Sequence, residues 1–223
     1  MYSFAQRLDT RVYDEPLYAH YLSTTDARSY HPGADDVIAA QENDGARVVS
    51  DLLLGPSDRP VLFFKNMTHH LVGLDWSFLT QLTNVLLTRE PAAVIASYAK
   101  NIHDVTMRDT GFADQSALLD YLEAHGQTPP ILDSQEVLKN PRAVLRQLCE
   151  RIGIAFDEVM LTWPAGPRAE DGVWAKYWYA NVHASTGFLP SAASTPTVPD
   201  HLQPLLAACQ PHYERLAALA IRA

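Results

Sequence analysis

Two cysteines in 223 residues, Cys149 and Cys209, are too few for a disulfide framework, and both fall in helical patterns. They read as free, buried thiols of a reducing compartment. Basic charge is also short: 17 Lys and Arg stand against 26 Asp and Glu, for a formal charge of −9. A general nucleic-acid binder needs a broad cationic surface to displace counterions, so that partner is not expected. Any anionic ligand must be held by a few local cations and backbone N–H groups. No apolar run approaches the roughly 18 residues that span a bilayer, and no signal-peptide pattern opens the chain. A membrane is therefore not an expected partner, and the cytoplasm is the expected compartment. Internal repeats, charge blocks and low-complexity stretches are lacking too, which argues against disorder.

What is present is a chain with 47% apolar residues, long enough for one α/β domain over 1–223 with a proper core. The apolar runs 61–64, after Pro60, and 84–88 read as buried parallel strands, and 131–133 as a third, shorter one. Residues 10–13 form a further β-like run, preceded by a helical stretch over 2–8. Apolar positions recur at helical spacing over 34–54, around a polar patch at 41–44, and Gly55-Pro56 ends that stretch. Pro91 opens a helix to about residue 100, and 116–125 is another. Asn140-Pro141 caps an amphipathic helix with Val144, Leu145, Leu148 and Ile152 on one face and Gly153 at its end. Residues 160–194 are irregular and aromatic-rich, and 199–221 is helical. Strands alternating with helices predict a three-layer α/β fold, with a mostly parallel sheet and helices on both faces.

Thr88-Arg89-Glu90-Pro91 carries the sharpest local signal. A strand delivers Arg89 to the carboxyl edge of a sheet, where open α/β folds bind ligands, and Ser97 lies two turns into the helix that follows. A guanidinium and a hydroxyl so placed could clamp a phosphate. On spacing alone, Arg89 could equally pair with Glu90, and Ser97 could bond its own backbone.

The strand-Arg-acid-Pro-helix-Ser pattern resembles the 3′-phosphate-binding segment of the sulfotransferase family. Other segments agree in order: 61–65 with His69-His70, Asp75-Trp76, Leu132-Asp133-Ser134, 148–156, Trp163-Pro164-Ala165-Gly166-Pro167, and Gly172-Val173-Trp174 through Ser185-Thr186-Gly187-Phe188. This last stretch resembles the bacterial sulfotransferase-like group, and the likeness covers nearly the whole chain. It implies a nucleotide-binding fold of the P-loop type. It also implies transfer of a sulfuryl group from 3′-phosphoadenosine 5′-phosphosulfate to a hydroxyl or amine of a small-molecule acceptor. By the resemblance Arg89 and Ser97 would hold the 3′-phosphate, and Lys176 would touch a nucleotide phosphate.

Family members open with a strand and a glycine- and serine-containing loop whose N–H groups wrap the phosphosulfate. No such loop follows an apolar strand here, and 1–8 resemble the helix after it. The expectation is an N-terminally truncated domain that binds donor poorly and is inactive in this form. The alternative is a non-catalytic nucleotide- or partner-binding member of the same fold. A missing central strand would leave a sheet edge that a second copy could pair, giving a homodimer.

Sulfuryl transfer needs a base for the acceptor's proton and a cation for the leaving phosphate. Glu15, in Tyr13-Asp14-Glu15-Pro16, is the candidate base, as a carboxylate at that place is in some bacterial relatives; it could instead be a surface acid in a turn. Lys65, at the end of the strand over 61–64, is the candidate for leaving-group support. His69 or His70 is an alternate base. No Cys, Asp or His completes a ligand set around that histidine pair, so no metal is expected.

Overall fold

Parallel pairing of the short apolar runs organises the chain in the computed structural model, which describes residues 1–189 and 196–223. In chain order the principal elements are β1 (Thr10–Asp14), α1 (Tyr18–Thr24), α2 (Ala34–Ala40), β2 (Val61–Lys65) and β3 (Leu86–Thr88). They continue with α3 (Pro91–Tyr98), α4 (Phe112–Ala124), β4 (Ile131–Asp133), α5 (Pro141–Arg151) and α6 (Gln203–Leu219). The last few residues of the stretch expected to be irregular over 160–194 lie outside the described residues. The described part holds short helical turns at Ala175–Trp178 and Ala180–His183.

Two compact units divide the chain. The first is Met1–Phe78 with Asp157–Phe188, and the second is Leu79–Phe156 with Leu189–Ala223. Each holds one parallel strand pair. In the first unit Thr10 lies opposite Val61 and Asp14 opposite Lys65. In the second, Leu86 faces Ile131 and Thr88 faces Asp133. Parallel neighbours need long crossovers, and both pairs use more than 40 residues to return. The α/β class with parallel strands is thus as expected, but the strands hydrogen-bond as two separate pairs rather than one ladder. The expectation of fully buried strands fails with it: every residue of β2 is only half-buried, and Leu87 in β3 is 57% exposed. β4, though it too has one strand neighbour, is buried throughout, so burial here follows what packs over each strand rather than its place in the sheet.

Local chemistry explains the helix boundaries. Asn140 Oδ1 accepts from Ala143 N–H at 3.1 Å, Pro141 takes the first position, and Val144, Leu145, Leu148 and Cys149 are buried. Gly153 then leaves the helix at φ 75°. Glu90 caps α3 through both oxygens, to Ala92 N–H at 3.1 Å and Ala93 N–H at 3.0 Å. α4 begins four residues before the expected 116, because the turn Met107–Thr110 has its own Thr106/Asp109 capping box and Gly111, at φ 71°, joins the two. The stretch 34–54 breaks after α2 into Gly45–Val48 and a π-type turn, Val49–Leu53, closed by Leu54 N–H on the Val49 carbonyl at 2.9 Å. Asp44 starts it by accepting from the N–H groups of Ala46 and Arg47.

The first unit's core is built on α1 and α2: Tyr18, Tyr21, Leu22, Val37 and Trp174 pack together there. Cys149 and Cys209 are free and buried, as expected. Among the described residues no helix is long and apolar enough to cross a membrane.

Candidate functional site

The β1–β2 ladder runs one step past the strands, because Glu15 N–H donates to the Lys65 carbonyl at 2.7 Å. The chain then turns at Pro16. Glu15 sits at φ 44°, the only non-glycine residue with a positive φ among those described. Such a backbone costs of order 1–3 kcal/mol and persists where the surroundings over-determine it, often at functional sites. Gln41 holds the turn: its Nε2 donates to the Glu15 carbonyl at 3.1 Å, and its Oε1 accepts from Ala19 N–H at 3.1 Å.

The nearly buried Glu15 carboxylate forms an ion pair with Lys65 Nζ. Lys65 also donates to Tyr179 Oη at 3.0 Å and lies 3.5 Å from Asp14 Oδ1. The Tyr179 hydroxyl donates to the Asp14 carboxylate, whose oxygens lie 2.7 and 2.8 Å away, and Gly172 N–H reaches Asp14 Oδ2 at 3.2 Å. Burial raises the Glu15 pKa above the ordinary carboxylate value, against the pull of Lys65, and Asp14 adds to the rise. Burial alone would depress Lys65, but Glu15, Tyr179 and Asp14 outweigh it and hold the ammonium charged well above its usual range. The two shifts act on one pair: Lys65 keeps its proton while Glu15 takes one up more readily than a free carboxylate.

His70 closes the far side. Its Nε2 is 3.9 Å from Glu15 Oε2, and its ring stacks on Tyr18 at 4.8 Å and Tyr21 at 5.1 Å. Burial pushes its pKa well below the usual histidine value, so the ring is neutral. Its Nδ1 is buried without a hydrogen-bond partner among the described residues.

Of the residues singled out in the sequence, Glu15 and Lys65 are therefore brought together. His69 is buried edge-on to His70, at 4.7 Å, and against Tyr21, so the imidazole next to Glu15 is that of His70. Lys176 stands apart from this group, exposed and paired with Asp36 at 3.0 Å. Arg89 and Ser97 belong to the second unit. Both are exposed, Arg89 directly after β3 and Ser97 near the end of α3, and neither side chain has a hydrogen bond or ion pair among the described residues. Glu90, the acid that could have paired with Arg89, is occupied as the α3 cap.

Sequence reasoning missed Asp14, His70's proximity to Glu15, and Tyr179. Tyr179 lies 165 residues from Asp14, and no local pattern distinguishes it from the aromatic residues around it. It also missed a cavity of about 640 Å³ beside β1, walled by Tyr13 and Asp14, by part of the π-type turn, and by the stretch 170–174. Separately, His103, Asp104 and His201, all exposed in the second unit, place ligand-type atoms within 4.8 Å of one another.

Comparison with known proteins adds three findings. The family model described as a sulfotransferase domain matches residues 1–220. Two Arabidopsis thaliana proteins are similar. Branched-chain-amino-acid aminotransferase-like protein 2 is 37% identical over 97% of this chain and 38% of its own length, and protein 1 is 38% identical over 84% and 34%. The chain thus spans well under half of each relative. The solved sulfotransferase domain from the curacin biosynthetic pathway aligns with 91% of this chain and 77% of its own, at 17% identity and a TM-score of 0.39, a likeness too slight to build on.

Proposed function

The chain belongs to the sulfotransferase domain family, and from that premise we propose that it serves sulfuryl transfer from 3′-phosphoadenosine 5′-phosphosulfate to a hydroxyl or amine of a small molecule. The observation that carries this reading is Glu15: a buried carboxylate on a strained backbone, held against a lysine at the carboxyl end of paired parallel strands. A group held at that cost serves chemistry better than stability.

In this reading Glu15 takes the proton from the acceptor as its oxygen or nitrogen bonds to sulfur and the sulfur–phosphate oxygen bond breaks. The raised pKa of Glu15 suits it to that transfer. Lys65 offsets the charge that grows on the leaving phosphate. Asp14 and Tyr179 keep Lys65 supplied with partners when it leaves Glu15. The donor supplies the sulfuryl group and a phosphate leaving group, and its 3′-phosphate is assigned to Arg89 and Ser97. Two exposed groups with no partner of their own fit that assignment. Lys176 is the weaker candidate for nucleotide contact, since Asp36 already neutralises it.

Calorimetric titration with 3′,5′-adenosine bisphosphate tests the reading: binding is expected, and loss of at least tenfold in affinity in Arg89→Ala. Glu15→Gln is expected to keep that binding and to lose whatever sulfuryl transfer the unsubstituted chain shows. A chain that binds no nucleotide sinks the proposal. The second reading, a non-catalytic nucleotide-binding member of the family, is favoured by the ion pair that ties up Glu15. It predicts nucleotide binding with no transfer to any acceptor.

A further inference from the structure

The cavity beside β1 points to the chemistry of the acceptor. Its volume of about 640 Å³ is in the range of small-molecule sites. Its walls are mixed: the nearly buried Trp174, Val12 and Val48 back it, and Tyr13 and Leu52 are the more accessible apolar groups. The polar lining is one-sided: Asp14, Glu42, Asp51, Glu170 and Asp171 face a single lining cation, Arg47.

The partners of these acids do not restore neutrality. Arg47 is shared between Glu42 at 3.2 Å and Asp51 at 3.9 Å. Glu170 pairs with Arg168 at 3.2 Å, and Asp171 with His183 at 2.9 Å. Asp14 has only a share in Lys65, at 3.5 Å, because Glu15 forms the closer pair with that ammonium. Asp14 also accepts from Tyr179 Oη and Gly172 N–H, and Asp171 from Tyr2 Oη and Arg168 N–H, but those donors carry no charge of their own into the lining. An anionic guest would meet an excess of negative charge, chiefly at the accessible Glu42, Asp51 and Glu170, and a neutral one would gain only the apolar walls. A guest bearing an ammonium group supplies the missing charge and can rest it against the Tyr13 ring. The cavity also adjoins the chemistry, because Asp14 is at once part of its wall and a partner of Lys65 and Tyr179. The π-type turn Val49–Leu53 contributes to the wall, a geometry frequent at functional sites.

Building on the sulfotransferase reading, we propose that this cavity is the acceptor subsite and that it takes a small organic cation, a hydroxylated amine with an apolar body.

Three probes of matched size decide it by calorimetry on the full chain: 4-(hydroxymethyl)benzylamine, 4-methylbenzyl alcohol and 4-(hydroxymethyl)benzoate. The amine is expected to bind at least tenfold more tightly than the neutral alcohol, and the benzoate not at all. Asp51→Asn and Glu170→Gln, both at the rim, are each expected to weaken the amine several-fold and leave the alcohol unchanged. Equal binding of amine and alcohol overturns the proposal, as does no binding of the amine or amine binding that both variants leave intact. Titration with 3′,5′-adenosine bisphosphate in parallel separates the two readings. Amine selectivity without nucleotide binding keeps the cationic subsite and sinks sulfuryl transfer. Nucleotide binding without amine selectivity sinks the subsite alone.

Discussion

The two parallel strand pairs end in opposite electrostatic conditions. At the end of β1–β2 every charge is engaged: Glu15 and Asp14 share the one ammonium of Lys65, Tyr179 hydrogen-bonds to both Lys65 and Asp14, and the carboxylates are almost wholly buried. At the end of β3–β4 Asp133 is likewise satisfied, accepting from Tyr213 at 2.8 Å and from Gln135 N–H at 2.6 Å, while the buried Thr88 hydroxyl has no partner among the described residues. Arg89, however, stands exposed with no described partner. Buried charges must be paired to be tolerated, whereas an exposed guanidinium can wait for an anion at no such cost. The first end thus spends its charges on one another, and the second leaves a cation free at the surface.

Breaking the first network should cost the most. Lys65→Met leaves Glu15 and Asp14 facing one another without their shared cation, and about 3 kcal/mol of stability is expected to go. Urea denaturation of wild type and variant measures it, and a loss below that of an ordinary surface substitution would mean the network is not a unit. Tyr179→Phe removes one hydroxyl that donates to Asp14 and accepts from Lys65, and is expected to cost about 1–2 kcal/mol by the same measurement.

Acidity gives a subtler handle. Burial raises the Glu15 pKa, so the native state holds that proton more tightly than the unfolded chain does. The stability tied to it is present below the ordinary carboxylate value and is lost as pH rises through the raised folded value. Glu15→Gln does not titrate, so its stability relative to wild type should climb across that window in denaturation curves taken at a series of pH values. A flat difference would mean that Lys65 keeps Glu15 ionised throughout. The smallest effect is expected at the other strand end. Arg89→Ala touches nothing in the fold and should change stability by no more than about 0.5 kcal/mol, while removing nucleotide affinity. A large stability loss there would erase the contrast between the two ends.

Much of this was legible locally. Lys65 was singled out because it follows a short β pattern, and a residue just past a parallel strand lies at the ligand-binding edge, whereas Glu15, also past a short strand, was singled out by the family resemblance. The α5 helix was legible from Asn140, Pro141 and the spacing of its apolar residues, all set within one stretch of chain. The boundaries that went wrong were decided by capping and turn chemistry. A second cap at Thr106 and Asp109 moved the start of α4, and Gln41, needed to hold the Glu15 turn, ends the α2 helix. Both imidazoles of the short turn Thr68–Leu71 pack on the aromatic core, and the turn brings that of His70 rather than His69 up to the Glu15 carboxylate.

The sequence by itself determined the strands, the principal helices, the acidic balance and the residues at the strand ends, because each depends on neighbours within a turn or a strand. Only the tertiary structure decided that Tyr179 would clamp Asp14 and Lys65, that Glu15 would be buried in a left-handed turn, and that five carboxylates would line one cavity. Those features join residues as much as 165 positions apart. Their energies come from burial and from charges brought close in a poorly solvated interior, and neither quantity exists until the chain has folded.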